Sequence, residues 1–109
     1  MVLVVDDDPL VLEITAAMLE DLGCDVLTAG SAEEALRCIA KNKSVEVLIT
    51  DVNMPGTGGY ELAREAQSAG IQVILLSGRE VDGHGFPLIR KPFREADLER
   101  TMRRTTGLC

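Results

Sequence analysis

Three short apolar runs end in residues suited to holding and transferring a phosphoryl group. Val2-Leu3-Val4-Val5 runs into Asp6-Asp7-Asp8, Val47-Leu48-Ile49-Thr50 into Asp51, and Pro87-Leu88-Ile89-Arg90 into Lys91-Pro92. A fourth run, Ile71–Leu76, ends at the hydroxyl of Ser77. Asp51 is the candidate nucleophile, because aspartate carboxylates form aspartyl phosphate intermediates. Such transfer asks the protein mainly for positioning and charge neutralisation. A hard cation such as Mg2+ takes octahedral oxygen ligands, often one or two carboxylates plus phosphate oxygens. Asp7 and Asp51 are candidate carboxylate ligands, Asp6 a ligand through water, and a main-chain carbonyl beyond Asp51 a further one. Lys91 brings a compact positive charge for one phosphoryl oxygen, and Ser77 a hydrogen bond for another. Singly, each residue has a plainer role: Asp8 before Pro9 is a helix N-cap, and a lone Asp51 would be a turn former. Their joint placement at strand ends favours the site.

Strand and helix patterns alternate along the whole chain. Val2–Val5 has the continuous apolar character of a strand buried on both faces. Leu10–Leu22 carries Leu10, Ile14, Ala17, Met18 and Leu22 at helical spacing, with Pro9 suited to the first turn and Gly23 to the end. Asp25–Thr28 is the second strand, and Ser31 with Glu34 forms a capping box for a helix carrying Ala35, Leu36, Ile39 and Ala40. Glu46–Thr50 is the third strand, followed by the turn Asn53-Met54-Pro55-Gly56. Tyr60, Leu62, Ala63 and Ala66 mark a third helix closed by Gly70. Ile71–Leu76 and Pro87–Arg90 are the last strands, and Arg94–Arg104 the last helix. Alternating units of this kind predict one α/β domain over residues 1–109, with a parallel sheet, right-handed crossovers and helices on both faces. Strand ends then converge on the crevice where ligands bind.

One connection breaks the rhythm. Gly78–Phe86 contains three glycines, with Val81 and Phe86 as its large apolar residues. Parallel crossovers usually take a dozen or more residues, and these glycines oppose a helix interior. A loop or one irregular turn is expected where a fourth helix belongs. Sheet left bare there, lined by apolar side chains of strands four and five, is expected to dock a partner or a second copy, since parallel sheets are normally covered on both faces.

The net charge of −7 argues against a nucleic-acid backbone as direct partner. No apolar stretch approaches the roughly 20 residues of a membrane span, and Met1 runs directly into a strand, so neither a membrane anchor nor a secretory leader is expected. Aromatic residues make up 3%, so the core must be aliphatic. Cys24, Cys38 and Cys109 form no ligand pattern and are read as buried or incidental thiols of a reducing cytoplasm. His84, between glycines, is expected to be a solvated loop residue. Arg100, Arg103 and Arg104 suit a helix C-terminus. Tyr60 is expected to pack near the site, and Arg79 lies close enough in sequence to approach the phosphoryl pocket.

Val4-Val5-Asp6-Asp7-Asp8-Pro9, Thr50-Asp51-Val52-Asn53-Met54-Pro55-Gly56, Leu75-Leu76-Ser77-Gly78 and Lys91-Pro92-Phe93 together resemble the receiver domain of bacterial two-component response regulators. The resemblance spans nearly the whole chain. It implies a doubly wound, CheY-like (flavodoxin-like) five-stranded parallel sheet of order 2-1-3-4-5, here with the fourth helix shortened or absent. It implies Asp51 as phosphoacceptor, supplied by a phosphohistidine on a histidine kinase or histidine phosphotransfer protein. Asp6, Asp7 and Asp51 match the metal-binding carboxylates for Mg2+ or Mn2+, and Asn53 the position that lends its main-chain carbonyl. Ser77 matches the switch hydroxyl, Lys91 the paired lysine, and Lys91-Pro92 a position whose peptide bond is usually cis.

Two departures accompany the match. Leu88 stands where the family carries its switch aromatic, so the usual hydroxyl-to-aromatic coupling is not expected. The short Gly78–Phe86 segment removes most of a helix belonging to the family's common output face. Shortened receivers with a Leu-x-Arg-Lys-Pro-Phe stretch look like those at the C-terminal end of hybrid histidine kinases; a stand-alone regulator stays open. No metabolic turnover is expected beyond the domain's own phosphorylation and dephosphorylation. Two rival classes are a pseudo-receiver that only binds partners and a haloacid dehalogenase-like phosphatase with its nucleophile on strand one. The first predicts erosion of the acidic pair, Asp51 or Lys91, and none is eroded. The second normally needs a longer chain.

Overall fold

Continuous apolar runs make strands buried on both faces, and Val2–Val5, Val47–Asp51 and all but the first residue of Gln72–Ser77 are buried throughout. The computed structural model describes residues 1–54, 58–79 and 82–106; Pro55, Gly56, Val81 and Cys109 lie outside the described residues. The order is β1 (Val2–Val5), α1 (Pro9–Asp21), β2 (Val26–Ala29), α2 (Ala32–Lys41), β3 (Val47–Asp51), α3 (Gly59–Ser68), β4 (Gln72–Ser77), β5 (Leu88–Arg90) and α4 (Glu95–Thr106). All pairings are parallel, in the order β2-β1-β3-β4-β5. The chain turns from one half of the sheet to the other between β1 and β3, where strand-end crevices bind ligands.

Local chemistry sets the helix ends. Asp8 Oδ1 accepts the Leu10 N–H at 3.0 Å, which admits Pro9 as the first residue of α1, one position before the apolar stripe. At its other end Gly23 takes φ 93°, and the Cys24 N–H reaches the Leu19 carbonyl in a Schellman closure. Gly70, at φ 84°, closes α3 the same way. Ser31 Oγ accepts the Glu34 N–H at 3.1 Å, while the Glu34 carboxylate reaches back to the Gly30 N–H rather than to Ser31.

Alternate strand residues face opposite layers. Val2, Val4, Val47, Ile49, Ile74 and Leu76 pack with Leu19, Leu98 and Met102 from α1 and α4. Leu3, Val5, Leu48 and Leu75 pack with Ala32, Ala35, Leu62, Ala63 and Ala66 from α2 and α3. The expected bare sheet is not found. Among the described residues no helix lies between β4 and β5, yet Val73 and Leu75 are buried, and Phe86, Leu88 and Tyr60 pack against the same cluster. Among the described residues the large hydrophobics left exposed are Leu10 and Ile14, both on α1. No described helix is long and apolar enough to cross a membrane. Cys38 is a free thiol, but Cys24 is disulfide-bonded, contrary to its expected role as an incidental thiol.

Candidate functional site

Parallel register brings the chemistry to one edge. Val5 lies opposite Thr50, Asp51 opposite Leu76, and Ser77 opposite Arg90. Asp6, Asp51, Ser77 and Lys91 therefore stand at, or one residue past, the carboxyl ends of four adjacent strands. Ligand oxygens of Asp6, Asp7 and Asp51 all lie within 4.8 Å of one another. Lys91 Nζ sits 2.8 Å from Asp6 Oδ2 and 3.4 Å from Asp51 Oδ2. The free oxygen of each buried carboxylate meets a backbone donor: Asp6 Oδ1 accepts the Asp8 N–H at 2.9 Å, and Asp51 Oδ1 the Asn53 N–H at 3.1 Å. Asp6 is 1% exposed and Asp51 7%, whereas Asp7 opens to solvent. Ser77 is fully buried, and its carbonyl accepts the Lys91 main-chain N–H at 2.7 Å. The Lys91–Pro92 peptide bond is cis.

The site is electrostatically underfilled. Burial pushes the Asp51 carboxyl above its ordinary range; the Asn53 N–H and Lys91 offset part of this, and the Asp6 charge adds to it. Burial pulls Lys91 down, but its hydrogen bond to Asp6 and the charges of Asp51 and Asp6 outweigh that and leave it raised. One ammonium thus pairs with two of the three clustered carboxylates. An oxygen-only donor set carrying excess negative charge fits a hard divalent cation.

Most residues expected at the site meet there, but not with the expected partners. Lys91 is closer to Asp6 than to Asp51. Asp8 takes the N-cap position. Arg79 approaches through its backbone, which bonds Ser77 Oγ on both sides. Leu88 packs into the α2–α3 core, and His84 is exposed but meets the Tyr60 ring. Gly59 was not singled out from sequence. A Cβ there would lie 2.2 Å from the Asp51 carbonyl oxygen and 2.7 Å from Val52 Cα, both backbone atoms. The Gly58-Gly59 doublet was its one signal. Gly59→Ala must push α3 away from β3 and is expected to cost about 1–3 kcal/mol, as overpacking does. Urea unfolding against wild type measures it.

A five-stranded parallel sheet of this order, with acidic residues and a lysine at its carboxyl edge, is the architecture of CheY-like domains. The chain belongs to the response regulator receiver domain family, whose model matches residues 2–103. It is 42% identical over 88 residues to the transcriptional regulatory protein AruR of Pseudomonas aeruginosa, a match covering 74% of this chain and 36% of that protein. It is 37% identical over 76 residues to the sensor histidine kinase RcsC of Escherichia coli, covering 70% of this chain and 8% of RcsC. The chain therefore spans about a third of AruR and under a tenth of RcsC. The Clostridium thermocellum receiver domain superposes with TM-score 0.82 at 32% identity, covering 94% of this chain and 90% of that one. TrrA of Thermotoga maritima, in complex with Mg2+-BeF, gives 0.85 at 27%, covering 94% and 96%. Receiver domains are the phosphoacceptor modules of two-component systems and interact there with histidine kinases or phosphotransfer proteins.

Proposed function

We propose that the chain is one receiver domain over residues 1–109 and that Asp51 is its phosphoacceptor. The phosphoryl group comes from a phosphohistidine of a histidine kinase or histidine phosphotransfer protein. Asp6, Asp7, Asp51 and the main-chain carbonyl of Asn53 hold Mg2+ or Mn2+. The observation that carries this is the convergence of three carboxylates at adjacent strand ends, two of which, Asp6 and Asp51, pair with one lysine. A divalent cation there supplies positive charge for the carboxylates and the transferred group.

The Asn53 N–H holds Asp51 Oδ1, leaving Oδ2 on the Lys91 side as the attacking oxygen. Oδ2 forms a bond to phosphorus as the phosphorus–nitrogen bond of the phosphohistidine breaks. That electron pair returns to the imidazole, which takes up a proton. Lys91 then turns its ammonium from Asp6 toward a phosphoryl oxygen, and the Ser77 hydroxyl donates to another. Asp6 fits the rival role of nucleophile poorly: it is 1% exposed, with both oxygens already bonded. AruR and RcsC suggest two settings, a transcriptional regulator and a sensor histidine kinase, and in either we place this domain in the cytoplasm.

Acetyl phosphate with Mg2+ is expected to add one alkali-labile phosphoryl group per chain, seen by intact mass. Asp51→Asn is expected to add none, whereas labelling that persists in Asp51→Asn sinks the assignment. Chelating Mg2+ is expected to lower the labelling rate of wild type at least tenfold.

A further inference from the structure

The Ser77 hydroxyl is engaged twice with one residue. It accepts the Arg79 main-chain N–H at 3.0 Å and donates to the Arg79 carbonyl at 2.7 Å. Three residues on, the Asp82 carbonyl accepts a hydrogen bond from the Tyr60 hydroxyl of α3. The Tyr60 ring meets His84 edge-on, with centroids 4.5 Å apart and planes at 85°. His84 and Gly85 both take positive φ, 50° and 88°, and the Phe86 N–H closes on the Gly83 carbonyl at 2.9 Å. This is the type I′ pattern, which needs positive φ at both central residues. Gly83 leaves no room for a side chain, since a Cβ would lie 2.7 Å from the Phe86 carbonyl oxygen.

The two ends of this segment are fastened differently. At the far end Phe86 and Leu88 pack into the core, and the Pro87 carbonyl accepts the Leu75 N–H at 2.8 Å. At the near end, among the described residues, the ties to the rest of the fold are the Ser77–Arg79 pair and the Tyr60 contacts. A hydroxyl has one proton to donate. If Ser77 gives it to a phosphoryl oxygen, the Arg79 carbonyl loses its donor. Arg79 and Asp82 are three residues apart, at most about 11 Å of chain, so the two contacts lie close together along the sequence.

We propose that Tyr60 is the readout ring of this domain, latching the Asp82–Phe86 strap to α3 until Ser77 turns to a phosphorylated Asp51, which then frees the strap. Leu88, partly buried against the core, has no hydrogen-bonding side chain to take that part. Tyr60 follows Gly59, whose backbone lies against the Asp51 main chain, so the latch sits one residue from the site. This inference rests on Asp51 being the phosphoacceptor.

The chain has one Tyr and no Trp, so its ultraviolet emission reports Tyr60 alone. Wild type is titrated with Mg2+ and beryllofluoride, a phosphoryl mimic, with occupancy of the site read by fluorine NMR. Saturation is expected to change the Tyr60 emission by tens of per cent. At matched occupancy Ser77→Ala is expected to leave it unmoved. Tyr60→Phe, read by hydrogen exchange without the mimic, is expected to raise exchange of the Phe86 amide to the rate wild type reaches with it. Bound fluorine with unchanged emission overturns the latch, as does an equal change in Ser77→Ala or a wild-type exchange rate in Tyr60→Phe. No bound fluorine overturns the Asp51 assignment, and the latch with it.

Discussion

With divalent cations chelated, Asp51→Asn is expected to melt several degrees above wild type although it cannot be phosphorylated. Burial raises the Asp51 carboxyl in the folded state, and the neighbouring Asp6 charge raises it further. A raised acid binds its proton more tightly folded than unfolded. Its contribution is therefore fully present below the ordinary carboxylate range and is lost as pH rises through the raised folded value. At neutral pH the ionised Asp51 works against the fold, and an amide of the same shape removes that charge. The gap between variant and wild type should close on acidification, where Asp51 is protonated in both states. In a domain of about this size 1 kcal/mol moves the melting midpoint by roughly 4–8 °C, so calorimetry resolves even a fraction of that. Mg2+ at ten times its dissociation constant should then stabilise wild type by about 1.4 kcal/mol and Asp51→Asn by much less. A variant that melts lower than wild type across the whole pH range would show that Asp51 is a structural residue.

Lys91→Met is expected to have the opposite effect. The ammonium lies 2.8 Å from a carboxylate that is 1% exposed, and its own side chain is 20% exposed. Removing one partner of a buried pair leaves the other charge uncompensated, at about 3–5 kcal/mol. The residual exposure of Lys91 places this case at about 3 kcal/mol, the lower end. Lys91 is held above its ordinary value, so its contribution is complete below that value and disappears as pH rises through the folded one. Wild type should lose stability in that alkaline window, and Lys91→Met should not. Adding Asp51→Asn to Lys91→Met should restore part of the loss, because the two sites share one network and their effects do not add. A Lys91→Met variant within 0.5 kcal/mol of wild type in denaturant titration, about the range of ordinary surface substitutions, would remove the lysine from the structural core of the site.

Much of this was legible along the chain. Val2–Val5 and Val47–Thr50 announce buried strands by unbroken apolar character, and Pro9, Gly23, Ser31 and Gly70 mark helix ends that the hydrogen bonds then show. The acidic and basic strand ends named the site residues, because residues that end adjacent parallel strands must meet. The cover over β4 and β5 was not legible. Gly78–Phe86 has no periodicity, and nothing local says that Tyr60, 22 residues upstream of Asp82, would bond across to it. Nor does spacing show that Gly59 lies against the Asp51 backbone, since close approach is a property of two elements in space.

By itself the sequence determined which side chains gather at the carboxyl edge and where the helices start and stop, because both follow from patterns within a dozen residues. Tertiary structure alone decided that Lys91 leans on Asp6, 85 residues away, more closely than on Asp51. It also decided that a tyrosine on α3 bonds the Asp82 main chain, five residues past Ser77. Such choices turn on sub-ångström differences in register and packing between distant elements, while propensity and periodicity act only on neighbours.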